Sequence, residues 1–76
     1  MKYSILVVVL GAWGRGKTIG EAAKMCLKAG GQRKQTANVF LVLGDEAAEV
    51  DESGFIVRDS YSENEHILTC KLGNLL

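Results

Sequence analysis

An α+β domain, with one helix packed on a mainly antiparallel four-stranded sheet in a two-layer β-α-β-β-β order, is the fold this sequence predicts. Three observations predict it. Two apolar, β-branched runs of strand length stand at residues 4–10 and 39–43; a single segment, residues 19–29, has helical periodicity; and only the first two strands are separated by a connection long enough for a crossover. With 76 residues the chain has room for a single small domain, 1–76, that buries about 60% of its unfolded surface. A composition 47% apolar and 24% charged, with no proline and nine glycines, is that of a globular chain.

The first strand, residues 4–10, is apolar at both parities and so reads as central. A glycine-rich connector, residues 11–18, follows it. Thr18 with Glu21 three residues later forms a capping box that starts a helix at Ile19, and Gly30-Gly31 stops it after Ala29. At 3.6 residues per turn Ile19, Ala22, Ala23, Cys26 and Leu27 share one face, with Glu21, Lys24 and Lys28 opposite. The small residues of the inner face predict a helix lying close on the sheet. A polar loop, residues 32–37, leads to the second strand, 39–43, again apolar at both parities. Gly44-Asp45-Glu46 reads as a bulge, residues 47–50 and 55–58 as the arms of a hairpin around a turn at 51–54, residues 59–65 as a polar loop, and residues 66–72 as the last strand.

One helix covers one face. Leu6, Val8 and Leu10, or Ile5, Val7 and Val9, together with Phe40 and Val42, or Val39, Leu41 and Leu43, would then leave an apolar set in water, which predicts a homodimer packed sheet to sheet. The alternative is that Leu72, Leu75 and Leu76 fold back over that face.

Between the first strand and the helix, Gly11-Ala12-Trp13-Gly14-Arg15-Gly16-Lys17-Thr18 satisfies the Walker A pattern G-x-x-x-x-G-K-[ST]. That chemistry needs glycines whose N–H groups curl around a phosphate, a lysine reaching the outer phosphates and a hydroxyl for Mg²⁺. Gly11, Gly14, Gly16, Lys17 and Thr18 are the candidates, with Asp45 or Glu46 on the metal side. Over these eight residues the chain resembles the phosphate-loop NTPases, and the resemblance implies ATP or GTP binding. It departs from them where Gly44 interrupts the second motif and where the remaining helices of that fold are missing. Thr18 is also claimed twice, as helix cap and as metal ligand. The octapeptide is therefore read mainly as a strand-to-helix connector, at which Arg15, Lys17 and the free N–H groups of the helix start could hold an anion.

Charge is divided along the chain. Residues 1–37 hold seven Lys or Arg and one acid, and residues 38–76 hold two and eight, so +6 faces −6. Lys24, Lys28, Arg33 and Lys34 are candidate nucleic-acid contacts; an ordinary solvated helix face and loop is the competing reading. Cys26 and Cys70 lack metal spacing and read as free thiols of a reducing compartment, although a helix-to-strand disulfide is open to them. His66 stands at the parity of Cys70 but about 13 Å from it along a strand, so the two do not pair. No catalytic residue, metal or cofactor is expected. A short, interrupted apolar run is neither a signal segment nor a membrane span, and a cytoplasmic, non-catalytic interaction or accessory module that self-associates through its sheet is the functional expectation.

Overall fold

The first apolar run turns back on itself before the helix begins. In this computed structural model, which describes residues 3–43, 49–50, 56–58 and 63–76, β1 (Tyr3–Val9) is followed by a two-residue turn and by β2 (Ala12–Gly16). Gly11 sits in that turn at φ 83°, a conformation costly for any residue with a Cβ. The hairpin register joins Val9 to Ala12, Val8 to Trp13, Val7 to Gly14, Leu6 to Arg15 and Ile5 to Gly16. The glycine-rich segment is thus mostly a strand, which corrects its reading as a connector. Its alternation is one of size: Ala12, Gly14 and Gly16 fall on one face, Trp13 and Arg15 on the other.

Next comes α1 (Ile19–Lys28), with Thr18 as its N-cap and Ala29 as its C-cap. At its end Gly30 N–H donates to Leu27 O at 3.2 Å and Gly31 N–H to Cys26 O at 3.0 Å, a Schellman pair made possible by Gly30 at φ 113°. The remaining elements are β3 (Thr36–Leu43), β4 (Glu49–Val50), β5 (Ile56–Arg58), β6 (Glu63–Lys71) and a 3-10 turn at Leu72–Leu75.

The main sheet runs β2-β1-β3-β6 and is antiparallel throughout. Two expectations are corrected by this. The β1–β3 pair is antiparallel because the hairpin reverses the chain before α1, so the crossover joins β2 to β3 with β1 between them. The fourth place in the sheet belongs to β2, while β4 and β5 pair with each other in a separate two-stranded sheet. The expected bulge at 44–46, the turn at 51–54 and most of the polar loop, 59–62, lie outside the described residues. Residues 63–65 are strand, not loop.

A bulge that does appear is in β6. Val39 pairs with Leu68 but Phe40 with His66, which leaves Ile67 as the extra residue, 43% exposed. It also inverts the parity on its far side. Cys70, opposite Ala37, belongs to the helix-covered side, whereas His66, opposite Phe40, belongs to the other; the shared parity expected for them is corrected.

Under α1 the core gathers Ile5, Val7, Val9, Ala12, Ala37 and Val39 from the sheet, Ala22, Ala23 and Cys26 from the helix, and Leu72. Ile19 and Leu27 pack at its margin, so the inner face of the helix is the one its periodicity predicted. The helix lies very close. A Cβ at Gly14 would overlap the Cys26 nitrogen and the Ala22 carbonyl, and one at Gly16 would stand 2.7 Å from the Cβ of Glu21. Leu72 and Leu75 join this same core, not the opposite face.

On that opposite face Leu6, Val8 and Val42 are 0–1% exposed and pack with half-buried Phe40. The large uncovered apolar set anticipated there is absent from the described residues. Sheet-to-sheet pairing therefore loses the patch on which it was expected.

Candidate functional site

The five phosphate-loop candidates are strung out along β2. An extended strand rises about 3.3 Å per residue, so the ends of β2 at Ala12 and Gly16 are about 13 Å apart, with Gly11 before one end and Lys17 beyond the other. They do not close around an anion. Gly14 and Gly16 instead make room for α1. Thr18, at φ −126° and ψ 161°, lies outside the helix, and its Oγ1 accepts from Glu21 N–H at 3.1 Å. Glu21 completes the box by accepting from Lys17 N–H at 2.9 Å through Oε2. The chain's own carboxylate thus occupies the positive end of the helix. Arg15, on the face away from α1, donates from Nε to Ser4 Oγ at 2.6 Å. It does not converge with Lys17, and Asp45 and Glu46 lie outside the described residues.

The other basic candidates are collected at the opposite end of the sheet. Because β1 runs toward the Leu10-Gly11 turn, β2 and α1 carry the chain away from it and back again, β3 starts beside it and β6 finishes beside it. Gln35 ties these pieces together. Its Nε2 donates to Leu10 O at 3.0 Å, its Oε1 accepts from Gln32 N–H at 2.8 Å, and its carbonyl accepts from Leu72 N–H at 2.9 Å. Gly73 N–H donates to Arg33 O at 2.9 Å, and Lys71 stands opposite Thr36 in the register. Lys28, Arg33, Lys34 and Lys71 are all exposed at this end, and segments 9–13, 27–38 and 68–76, the described residues that build it, contain no Asp or Glu. Lys24, also exposed, is one turn further along α1.

Glu21, Lys17 and Glu65 stand at the other end, Glu65 opposite Leu41. Among the described residues, then, one end of the strands carries only cations while the other is mixed, with Lys17 beside Glu21. Lys71 was missed because it lies in the acidic half of the chain; only its pairing with Thr36 brings it to the basic turn.

Beside the basic end the helix-free face offers a row across the four strands, Trp13–Val8–Asn38–Thr69. Trp13 is 39% exposed and Leu10, in the adjoining turn, 68%. Thr69 Oγ1 donates to Asn38 Oδ1 at 2.7 Å and lies 2.8 Å from His66 Nε2. With the hydroxyl hydrogen given to Asn38, that imidazole nitrogen is the donor to Thr69. The His66 ring meets Phe40 edge-on, centroids 5.6 Å apart.

Both cysteines are free. Burial pushes the Cys26 thiol above the ordinary range, against a smaller opposing effect of a hydrogen bond with the Val9 backbone. Half-exposed Cys70 directs its thiol to Lys71 O at 3.4 Å. Among the described residues no cluster of His, Cys, Asp and Glu is placed to hold a metal ion, and no helix is long and apolar enough to cross a membrane. No protein-family model matches the chain, and none of the curated proteins or solved structures compared with it matches significantly.

Proposed function

We propose that this chain is a non-catalytic binding module that holds a polyanion, nucleic acid, against its basic end. The observation that carries the reading is the convergence of Lys28, Arg33, Lys34 and Lys71, from separate stretches of sequence, at an end where the described residues supply no acid. Phosphate neutralisation by such a group is worth most at low salt and falls as counterions compete. Lys24 adds a fifth cation along the helix. A reducing, cytoplasmic setting belongs to the same proposal and is supported by the two free thiols.

The test is fluorescence anisotropy of a labelled oligonucleotide across a salt series. Four phosphate contacts give a slope of log K against log salt of about −3. Arg33→Glu with Lys71→Glu should weaken binding at least about tenfold, whereas Lys17→Glu, at the other end of the sheet, should change it far less. Equal losses from both variants would remove the assignment to this end. Amide shifts confined to residues 11–19 on addition of Mg-ATP would favour the nucleotide reading instead.

Self-association is the second reading, and it now rests on Leu10 and Trp13, the exposed apolar side chains beside the hairpin turn. Light scattering over a concentration series tests it: a dimer that Trp13→Ala returns to monomer supports it, and a monomer throughout removes it.

A further inference from the structure

We infer that the ligand of this module is single-stranded, with a base stacked on Trp13 on the helix-free face of the sheet; the inference rests on the polyanion reading above. Trp13 is the outer member of the row Trp13–Val8–Asn38–Thr69, which crosses the whole sheet. Adjacent strands lie about 4.8 Å apart, so exposed Trp13 and Thr69 stand about 14 Å apart at the two ends of the row. Val8, between them, is 1% exposed and closed to a ligand, so the ring a base can reach is that of Trp13, which keeps 39% of its surface open. An exposed aromatic ring suits the π-face of any base.

Hydrogen-bonding capacity lies along the same row. Asn38 uses Oδ1 to accept from Thr69, and neither its amide nitrogen nor the Trp13 indole N–H has a partner among the described residues. Both are donors suited to base-edge or phosphate oxygens. The charge of the surroundings selects the occupant. Lys71, next along β6 on this face after Thr69, and Arg33 and Lys34 in the adjoining turn border the row at the basic end. An apolar protein partner would leave these cations unmatched, whereas a phosphate backbone running past them would bring a base to the exposed ring of Trp13. A duplex hides its bases from a flat surface and could use only the cations.

Trp13 is the sole tryptophan, so its emission reports the contact directly. The full chain is titrated with an oligothymidylate, with a blunt duplex of equal length, and with heparin as a polyanion without bases. Saturable quenching by the single strand alone is the expected result, together with a loss of affinity of roughly 5- to 100-fold in Trp13→Ala and a smaller loss in Trp13→Phe. Asn38→Ala, read by anisotropy, is expected to weaken the single strand and leave heparin unchanged. Oligothymidylate bound without quenching, and equally well by Trp13→Ala, overturns stacking while the polyanion reading stands. A duplex bound as tightly as the single strand also overturns it. If neither oligonucleotide nor heparin binds at low salt, the polyanion reading itself falls. Quenching that tracks protein concentration without ligand identifies a second copy as the occupant and overturns the inference. The quenching arm uses the unaltered chain, so it decides even if Trp13→Ala does not fold.

Discussion

On the side of β2 that meets α1, Ala12, Gly14 and Gly16 present almost no side chain, and the helix backbone rests where Cβ atoms would be; on the other side the same strand presents Trp13 and Arg15. The first side is selected by shape and the second by chemistry. Small residues at every second position let a helix of Ala22, Ala23 and Cys26 come close enough for backbone and side-chain atoms to touch, and dispersion at that distance replaces the bulk the side chains lack. The larger residues between them remain available to solvent or a partner. Glycines that serve close packing at a spacing of two also satisfy, by coincidence of spelling, a pattern in which glycines wrap a phosphate.

The comparison can be broken most directly at adjacent residues. Gly14→Ala adds one methyl group against the α1 backbone and is expected to destabilise the fold by about 3 kcal/mol or more, since the helix must shift as a body. Trp13→Ala, which removes a whole indole from the neighbouring position, should cost less. Urea denaturation of the two variants decides between shape and bulk: a larger loss at Trp13 would show that the helix yields easily. The same glycine-to-alanine change at Gly20, where an added Cβ would meet nothing within 4 Å beyond its own stretch of helix, should stabilise by about 0.5 kcal/mol.

A smaller effect is expected at the helix start. Thr18→Ala removes the acceptor for Glu21 N–H and should cost about 1 kcal/mol by chemical denaturation. Thr18→Asn, which can cap in the same way, should restore most of it. No loss on Thr18→Ala would mean that the hydroxyl is not used for capping.

The smallest effect concerns Cys26. Its thiol titrates above the ordinary value of 9.0 in the folded chain because burial disfavours the thiolate. The folded state therefore binds the proton more tightly than the unfolded one. Its contribution is whole below pH 9.0 and declines as the pH rises past that value toward the folded-state pKa. Urea midpoints measured on either side should fall more steeply for the native chain than for Cys26→Ala. Thiol labelling at neutral pH should reach Cys70 well before Cys26.

Much of the fold was legible where a local rule had a single outcome. The capping box at Thr18 and Glu21 and the Gly30-Gly31 stop placed α1 to within a residue, and the apolar runs located β1 and β3. β2 was not legible as a strand because apolar alternation is the usual signal, and here the alternation is between very small and large residues. Missing that hairpin also reversed the expected direction of β1 relative to β3. The bulge at Ile67 could not be read from parity, which is why His66 and Cys70 seemed to share a face. Of the basic candidates, Lys28, Arg33 and Lys34 could be named in advance, but Lys71 joins them only through the β3–β6 register.

Gln35, holding the hairpin turn, the loop after α1 and the C-terminal turn at once, ties the fate of the cations to the whole molecule. In an unfolded chain Lys28 and Lys71 are far apart and no concentrated positive field exists between them. A polyanion gripped at this end would then bind the native form in preference to the unfolded one, and its binding free energy would reappear as resistance to denaturation, about 2.7 kcal/mol at a ligand concentration 100 times Kd. Occupancy and melting temperature would become two readings of one equilibrium.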